Sequence, residues 1–270
     1  MKNSQKKNCV LQKYTIEDKI FQTNNSGIYT GFEIATGNPV IIKQIPRKNI
    51  GKFIQKVPAE IYYHYQAYEC SPDLVVKPLD WFERYSCYIL VLEKMDDAVD
   101  LYDFTKIYGI VSEKVARIIW DQIVHCVQDL TKSGIVHRDI KDENILINPK
   151  TLQIKMIDFG CATESKYFDD EVICGTPVYW PIECFEKNIY KSGPTTVWSL
   201  GAVLYILLCG EWNFQNGVHV RNFKAENKLS PDVVTLFNSV FCTCPTKRIS
   251  LQQIMGSKWL VGRTPYGSYF

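Results

Sequence analysis

Residues 135–160 read IVHRDIKDENILINPKTLQIKMIDFG. Two short apolar runs, Ile145 to Ile147 and Ile154 to Ile157, flank the turn-forming Asn148 and Pro149. Runs of this length separated by turn residues predict a small hairpin. Polar groups stand at both of its ends: His137, Arg138 and Asp139 before it, Asn144 at its opening, and Asp158, Phe159 and Gly160 at its close. A carboxylate ahead of the strands, an amide at their mouth and a second carboxylate behind them can supply one base and two metal contacts around a polyphosphate. Phosphoryl transfer asks for that set, because its catalysis is mostly positioning and charge neutralisation.

The chain around this stretch is 270 residues long, enough to bury a large core in one or two domains. An apolar fraction of 46% and a charged fraction of 22% are those of an ordinary soluble protein. With 31 basic and 29 acidic residues the net charge is +2, which gives no reason to expect nucleic acid or an anionic membrane as a partner. The start, MKNSQKKNCVLQKY, has no long apolar segment behind its lysines and does not read as a signal peptide. Val197 to Cys209 is too short for a simple membrane span and reads as a buried core helix. Ten cysteines are scattered through apolar contexts, and with four histidines they form no zinc pattern; free buried thiols in a reducing compartment are expected.

Before residue 93 the pattern is one of short strands. Tyr14 to Lys19, Gly27 to Phe32, Pro39 to Ile45, Val75 to Phe82 and Cys87 to Leu92 are the candidates, with Phe21 to Ser26 and the Gly37–Asn38 turn between the first three. Pro58 to Tyr68 is a candidate helix with proline near its first turn. After Asp100 the period changes. Ser112 predicts an N-cap for a long helix ending near Gly134, with Val115, Ile118, Ile119, Ile123 and Val127 as its apolar stripe. Thr195 to Cys209 follows as a central helix, Ser230 and Pro231 open another, and Ser250 with Gln253 predicts a capping box.

The spacing of the 135–160 stretch also matches the catalytic loop and metal-binding segment of protein kinases, and from about Tyr14 to Leu260 the chain resembles the Pim-type serine/threonine kinases. The resemblance implies an α+β, two-lobed protein-kinase-like fold: a five-stranded antiparallel N-terminal lobe (14–92), a hinge (93–99) and a mainly helical C-terminal lobe (100–260), with tails at 1–13 and 261–270. It implies ATP and Mg2+ as cofactors. Asp139 becomes the base that orients the substrate hydroxyl, and Lys141 neutralises charge on the transferring group. Lys43, in VIIK, holds the phosphates. Glu60 pairs with it, as a buried lysine requires. Asn144 and Asp158 take the metal. Ile28, Ile41, Leu92, Glu93, Met95, Leu146 and Ile157 surround the nucleotide, Leu92 at the back of the adenine pocket. Met95 replaces a hinge proline of the family and restores one N–H. Arg138 occupies the place of an arginine that pairs with a phosphorylated activation segment, for which Asp169, Asp170 and Glu171 offer unmodified carboxylates. Gly175, Thr176 and Pro177 resemble the segment that seats the residue after the acceptor, and Glu183 and Arg248 match a buried pair that anchors it.

Asp100, Asp103 and Glu143 match the acidic groups with which Pim-type kinases receive arginine and lysine upstream of the target serine or threonine, so protein substrates with basic segments are the expected partners. Alone, the first two also read as the opening of a helix. A cytoplasmic monomer, with the nucleus as a second compartment, completes the expectation.

Two departures stand against it, and a third sets the chain apart from most kinases. Aligned on Tyr29, the glycines of the nucleotide-covering loop become Phe21, Thr23 and Ser26, which removes the clearance that lets backbone approach phosphate, although Asn24 and Asn25 tolerate turn geometry. Ile41 replaces the small alanine of VAIK. Thr196 stands where most kinases have an aspartate before VWSLG, a departure that resembles the alanine of Pim-type proteins, so the catalytic loop must be braced without that carboxylate. Two functions follow: a serine/threonine protein kinase, or a kinase-like scaffold with weak or no catalysis and impaired nucleotide binding.

Overall fold

Val40 and Ile42 alternate with Ile41 and Lys43 along one strand, and this period of two decides which side of the first sheet is core and which is chemistry. The computed structural model describes residues 10–22, 27–164, 174–186, 190–210 and 229–261. It divides into two compact units, Met1–Asp97 with Ile157–Gly160, and Ala98–Met156 with Cys161–Phe270.

The first unit begins with α1 (Val10–Lys13), β1 (Lys19–Gln22), β2 (Gly27–Phe32) and β3 (Pro39–Pro46). The small hairpin of β4 (Phe53–Ile54) and β5 (Val57–Pro58), helix α2 (Ala59–Cys70), β6 (Pro78–Glu83) and β7 (Cys87–Glu93) follow. Five of these strands form an antiparallel sheet in the order β1-β2-β3-β7-β6. Tyr14, Val40, Ile42, Phe82, Ile89 and Val91 make the buried cluster on one face. The register pairs Ile28 with Lys43, Lys43 with Leu90 and Ile41 with Leu92, so these side chains share the opposite face.

The second unit starts with β8 (Val99–Asp100), α3 (Leu101–Tyr108), α4 (Glu113–Lys132) and β9 (Ile135–Val136). Strands β10 (Ile145–Ile147), β11 (Ile154–Met156) and β12 (Thr163–Glu164) follow, then α5 (Ile182–Glu186), α6 (Ser192–Cys209), α7 (Pro231–Val240), α8 (Leu251–Met255) and α9 (Lys258–Val261). Ser112 caps α4 by accepting from the Val115 amide, and Ser250 with Gln253 forms the full capping box of α8. Ile119, Ile123 and Val127 are buried on α4, while Trp120, on the same side, donates its indole N–H to the Leu200 carbonyl of α6 at 2.8 Å. Gly201 lets α6 and α7 meet closely, since a Cβ there would lie 2.2 Å from a methyl of Val240.

Four expectations change. The first strand is Lys19–Gln22 rather than Tyr14 to Lys19. Upstream, Tyr14 makes only an isolated bridge to Glu33, and Thr15 and Glu17 donate to the Phe32 and Thr30 carbonyls without forming a regular strand; the register shift of the pair lies inside β1, between Lys19 and Phe21. Val75 and Val76 are buried but precede β6; the Val76 carbonyl instead meets the His64 ring nitrogen at 2.8 Å. Helix α6 starts at Ser192 and is long and apolar enough to cross a membrane, but 67% of it is buried within the protein, as a core helix is. Finally, Cys161 and Cys174 are not free: a disulfide joins them, with Cα atoms 5.9 Å apart. The chain returns beside Arg138 and brings the two together, a closure that scattered cysteines do not announce. Cys70, Cys87, Cys126, Cys184, Cys209, Cys242 and Cys244 are free thiols.

Candidate active site

In the first unit the chemistry starts from one buried ammonium. Lys43, 8% exposed on β3, meets Glu60 of α2 at 2.6 Å and Asp158 at 2.9 Å. Burial opposes the lysine charge, but the two carboxylates outweigh it and hold its pKa above the ordinary value. Burial lifts the Glu60 carboxyl above its usual range, Lys43 pulling against that and Asp158 adding to it. Asp158 takes a left-handed backbone, φ 63°, and its Oδ1 also accepts from the Gly160 amide at 3.1 Å. Phe159, fully buried, packs its ring 5.0 Å from that of His64 on α2, so the 157–160 stretch is fixed to the same helix that supplies Glu60.

Ile28, Ile41 and Leu92 lie on the Lys43 face of the sheet, a flat apolar surface beside a cation. Glu93 ends β7 with its amide donated to the Lys77 carbonyl and its carboxylate accepting from the Lys77 amide. Met95 and Ile157 are half-buried in this unit. Phe21 lies in β1, whereas Thr23, Asn24, Asn25 and Ser26 lie outside the described residues.

The second unit holds a polar cluster around Asp139. Asp139 Oδ1 accepts from the Thr176 amide and from the Thr176 hydroxyl, both at 2.8 Å, and Oδ2 accepts from Asn144 Nδ2 at 3.0 Å. Asn144 Nδ2 also donates to the Asp139 carbonyl at 2.8 Å, so these bonds use its nitrogen and not its metal-competent oxygen. Lys141 donates to Thr176 Oγ1 at 3.0 Å and lies 3.7 Å from Asp139 Oδ2 and 2.8 Å from Glu143. Gly175, φ 105°, must be glycine, because a Cβ would sit 2.3 Å from the Arg138 carbonyl. Arg138 donates through Nε to the Cys161 carbonyl at 2.5 Å; Asp169, Asp170 and Glu171 lie outside the described residues. Leu146, half-buried on β10, pairs with Lys155 and Asp100.

Asp100 caps α3, accepting from the Asp103 amide at 2.7 Å. Burial lifts its carboxyl, and the charges of Asp103, Asp142 and Glu143 add to the lift, so the acidic groups are near enough to feel one another. Thr176, Asp142 and Tyr179 are the residues whose contacts with the catalytic loop the sequence did not disclose.

The donor set fits a magnesium-bound nucleotide in kind. In the first unit a buried ammonium suits phosphate, the Asp158 carboxylate is a hard ligand of the kind magnesium takes, and the Ile28–Ile41–Leu92 face suits an aromatic ring; in the second, the Asn144 side-chain oxygen is a hard ligand of the same kind.

An antiparallel sheet unit, a helical unit and this set of side chains define a protein kinase. The protein kinase domain model matches residues 14–260, and the chain belongs to that family, with a domain of the serine/threonine type. It is 35% identical to the serine/threonine-protein kinase pim-2 of Danio rerio, over 93% of this chain and 85% of that protein. It is 30% identical to the serine/threonine-protein kinase prk-2 of Caenorhabditis elegans, over 94% of this chain and 59% of that one. A further relative, the maternal embryonic leucine zipper kinase of Xenopus tropicalis, is 27% identical over 93% of the chain and 40% of its own length.

Proposed function

We propose that this chain is a Pim-type protein kinase whose 14–260 domain moves the γ-phosphoryl group of ATP to serine or threonine hydroxyls in basic protein segments. The carrying observation is the Asp139 cluster, a carboxylate fixed on one oxygen by Thr176 and on the other by Asn144, with Lys141 beside it. A carboxylate so held can accept the proton of a substrate hydroxyl as its oxygen attacks phosphorus, while Lys141 offsets charge on the transferring group. Bound Mg-ATP supplies the phosphoryl group and the metal charge that neutralises its oxygens. Lys43 holds phosphate, Glu60 orients Lys43, and Asn144 and Asp158 ligate magnesium. On this reading Ile28, Ile41, Leu92 and Ile157 of the first unit and Leu146 of the second would be the apolar residues for adenine, and the Glu93 and Met95 backbone would supply its polar contacts. The likeness to the zebrafish protein, together with Asp100, Asp103 and Glu143 in the acidic positions of the Pim pattern, supports the subfamily and the basic substrate.

A second function, a weakly catalytic scaffold, is favoured by Phe21, Thr23 and Ser26 in place of the three loop glycines. Radioactive phosphate transfer to a peptide with arginines upstream of serine separates the two. The kinase predicts transfer by the parent and a loss of at least about a hundredfold in Asp139→Asn. No transfer from the parent, or equal transfer from both, overturns it.

A further inference from the structure

The sequence leaves open what braces the catalytic loop when Thr196 stands in place of a carboxylate, and a different buried pair lies against that loop. Tyr179 is 9% exposed and Asp142 is 3% exposed, and the phenol donates to Asp142 Oδ1 at 2.6 Å across 37 residues of sequence. The Tyr179 ring belongs to a buried cluster with Trp198, Ala202 and Ile206 of α6. Its carbonyl accepts from Ser199 Oγ, also on α6, at 3.0 Å. Both ends of the tyrosine are thereby held, one by the central helix and one by the loop.

From Tyr179 the connection to Asp139 is short and stiff. Residues Pro177–Tyr179 form a single 3-10 turn with proline at its first position, and the Tyr179 amide donates back to the Thr176 carbonyl at 3.0 Å. Thr176 then places two donors on Asp139 Oδ1. On the loop side, Asp142 Oδ1 also accepts from the Glu143 amide at 3.0 Å, one residue before Asn144, which holds the other oxygen of Asp139. A displacement of Tyr179 therefore reaches both oxygens of Asp139 through fixed backbone. Burial lifts the Asp142 carboxyl, with the bonds from Tyr179 and Glu143 opposing it, and burial together with the Asp142 charge keeps the phenol protonated.

We propose that Tyr179 and Asp142 are positioning residues for phosphoryl transfer: their buried phenol–carboxylate bond clamps the Gly175–Tyr179 stretch onto the Asp139–Asn144 loop and sets the orientation of the Asp139 carboxylate. Neither touches the reacting atoms. The inference rests on the kinase reading, so one arm of its test needs no turnover.

The test uses the full chain. Tyr179→Phe keeps the ring and removes one O–H. It lowers kcat about tenfold at saturating ATP and peptide and leaves the KM for ATP within about twofold, because one charged hydrogen bond no longer holds the reactive geometry. Asp142→Asn keeps an oxygen acceptor for the phenol and holds kcat within about threefold of the parent. Tyr179→Phe combined with Asp142→Leu removes both polar partners. It returns the melting temperature toward the parent value, as apolar replacement of a buried pair does, while kcat stays as low as in Tyr179→Phe. Hydrogen exchange at the Thr176 amide, measured without nucleotide, accelerates in Tyr179→Phe and in the double variant. Parental kcat in Tyr179→Phe, or kcat recovering with melting temperature in the double variant, overturns the proposal. If the parent transfers no phosphate, the kinase reading falls and the exchange arm decides the clamp: unchanged protection of Thr176 refutes it, and faster exchange supports it.

Discussion

Replacing Glu183 with Gln should cost this protein several times more than removing any of its exposed ion pairs. Glu183 and Arg248 are 3% and 6% exposed and meet in a two-pronged contact, Nη1 to Oε1 at 2.7 Å and Nη2 to Oε2 at 2.9 Å. The guanidinium also donates to the Pro194 and Cys242 carbonyls and lies 4.9 Å from the centre of the Trp198 ring. Gln keeps the size of Glu but turns an N–H2 toward a group that only donates, leaving a buried cation without its counter-charge. Such a break costs about 3–5 kcal/mol. At roughly 2–4 °C per kcal/mol for a domain of this size, the melting temperature should fall by about 6–20 °C. The comparison is Glu83→Gln. Glu83 pairs with Arg47, but the two side chains are 42% and 38% exposed, and an exposed pair is worth about 1 kcal/mol or less. Urea unfolding followed by tryptophan fluorescence gives both values in one assay, with Trp198 a reporter next to the buried pair. A Glu183→Gln variant within 1 kcal/mol of the parent, or no worse than Glu83→Gln, would refute the idea that desolvation of Arg248 makes this anchor dependent on its carboxylate.

Four further outcomes are expected. Lys43→Met leaves Glu60 and Asp158 without the ammonium between them, so calorimetry should show Mg-ATP binding weakened at least about tenfold, and unchanged affinity removes Lys43 from phosphate binding. Burial, with the Glu183 charge adding to it, pushes the Cys184 thiol up to about 11 from 9.0, so its thiolate is roughly one part in a thousand at pH 8. The thiol stays protonated longer folded than unfolded, so this group's contribution to stability is whole below about pH 9 and is lost as pH rises toward 11. Cys244 is only half-buried, and the Thr246 hydroxyl draws its pKa down. Iodoacetamide at pH 8 should therefore label Cys244 well before Cys184 by mass spectrometry, and equal rates would contradict the burial argument. Non-reducing digestion should recover Cys161 and Cys174 in one cross-linked peptide pair, and Cys161→Ser should lower stability by up to about 3 kcal/mol, the scale for a loop of this length; two separate free peptides would count against the bond. Asp100→Asn with Asp103→Asn should narrow the kcat/KM advantage of an arginine-containing peptide without abolishing transfer to a neutral one, since Asn caps α3 as well as Asp does; an undiminished advantage in that variant would assign the preference elsewhere.

What the sequence disclosed follows from how far each signal reaches along the chain. The 145–147 and 154–156 strands, the Ser112 and Ser250 caps and the Ser230–Pro231 helix start are local, written in adjacent residues, and each stands where the pattern puts it. The first strand differs from its expectation because Tyr14 to Glu17 meet the edge of β2 through an isolated bridge and single backbone bonds, and an apolar pattern does not distinguish such a run from the regular strand Lys19–Gln22. Val75 and Val76 show the same limit: apolar residues can be buried in a core loop as readily as in a strand. The cysteine expectation failed for the Cys161–Cys174 pair because it depends on a chain reversal that no spacing rule records.

The candidate site divides along the same line. Lys43, Glu60 and Asp158 could be named because the short strings around them resemble the kinase pattern, for alone Lys43 reads as an edge charge and Glu60 as a surface one; the fold brings the three side chains together. Thr176, Asp142 and Tyr179 could not be placed, because what ties them to the loop is a set of hydrogen bonds between residues 35 to 37 positions apart, and none of the three is an unusual residue where it stands. Asp142 shows why. Between Lys141 and Glu143 it reads as one more charge in a polar loop, whereas in the fold it is nearly sealed from water and accepts from a tyrosine. A buried carboxylate is costly to keep unless its partners are held in place; the Glu143 amide is fixed by the loop itself, and α6 holds the phenol through Ser199 and the Trp198–Ala202–Ile206 cluster. The orientation of Asp139 thus depends on the core packing of α6 as well as on the residues of the catalytic loop itself.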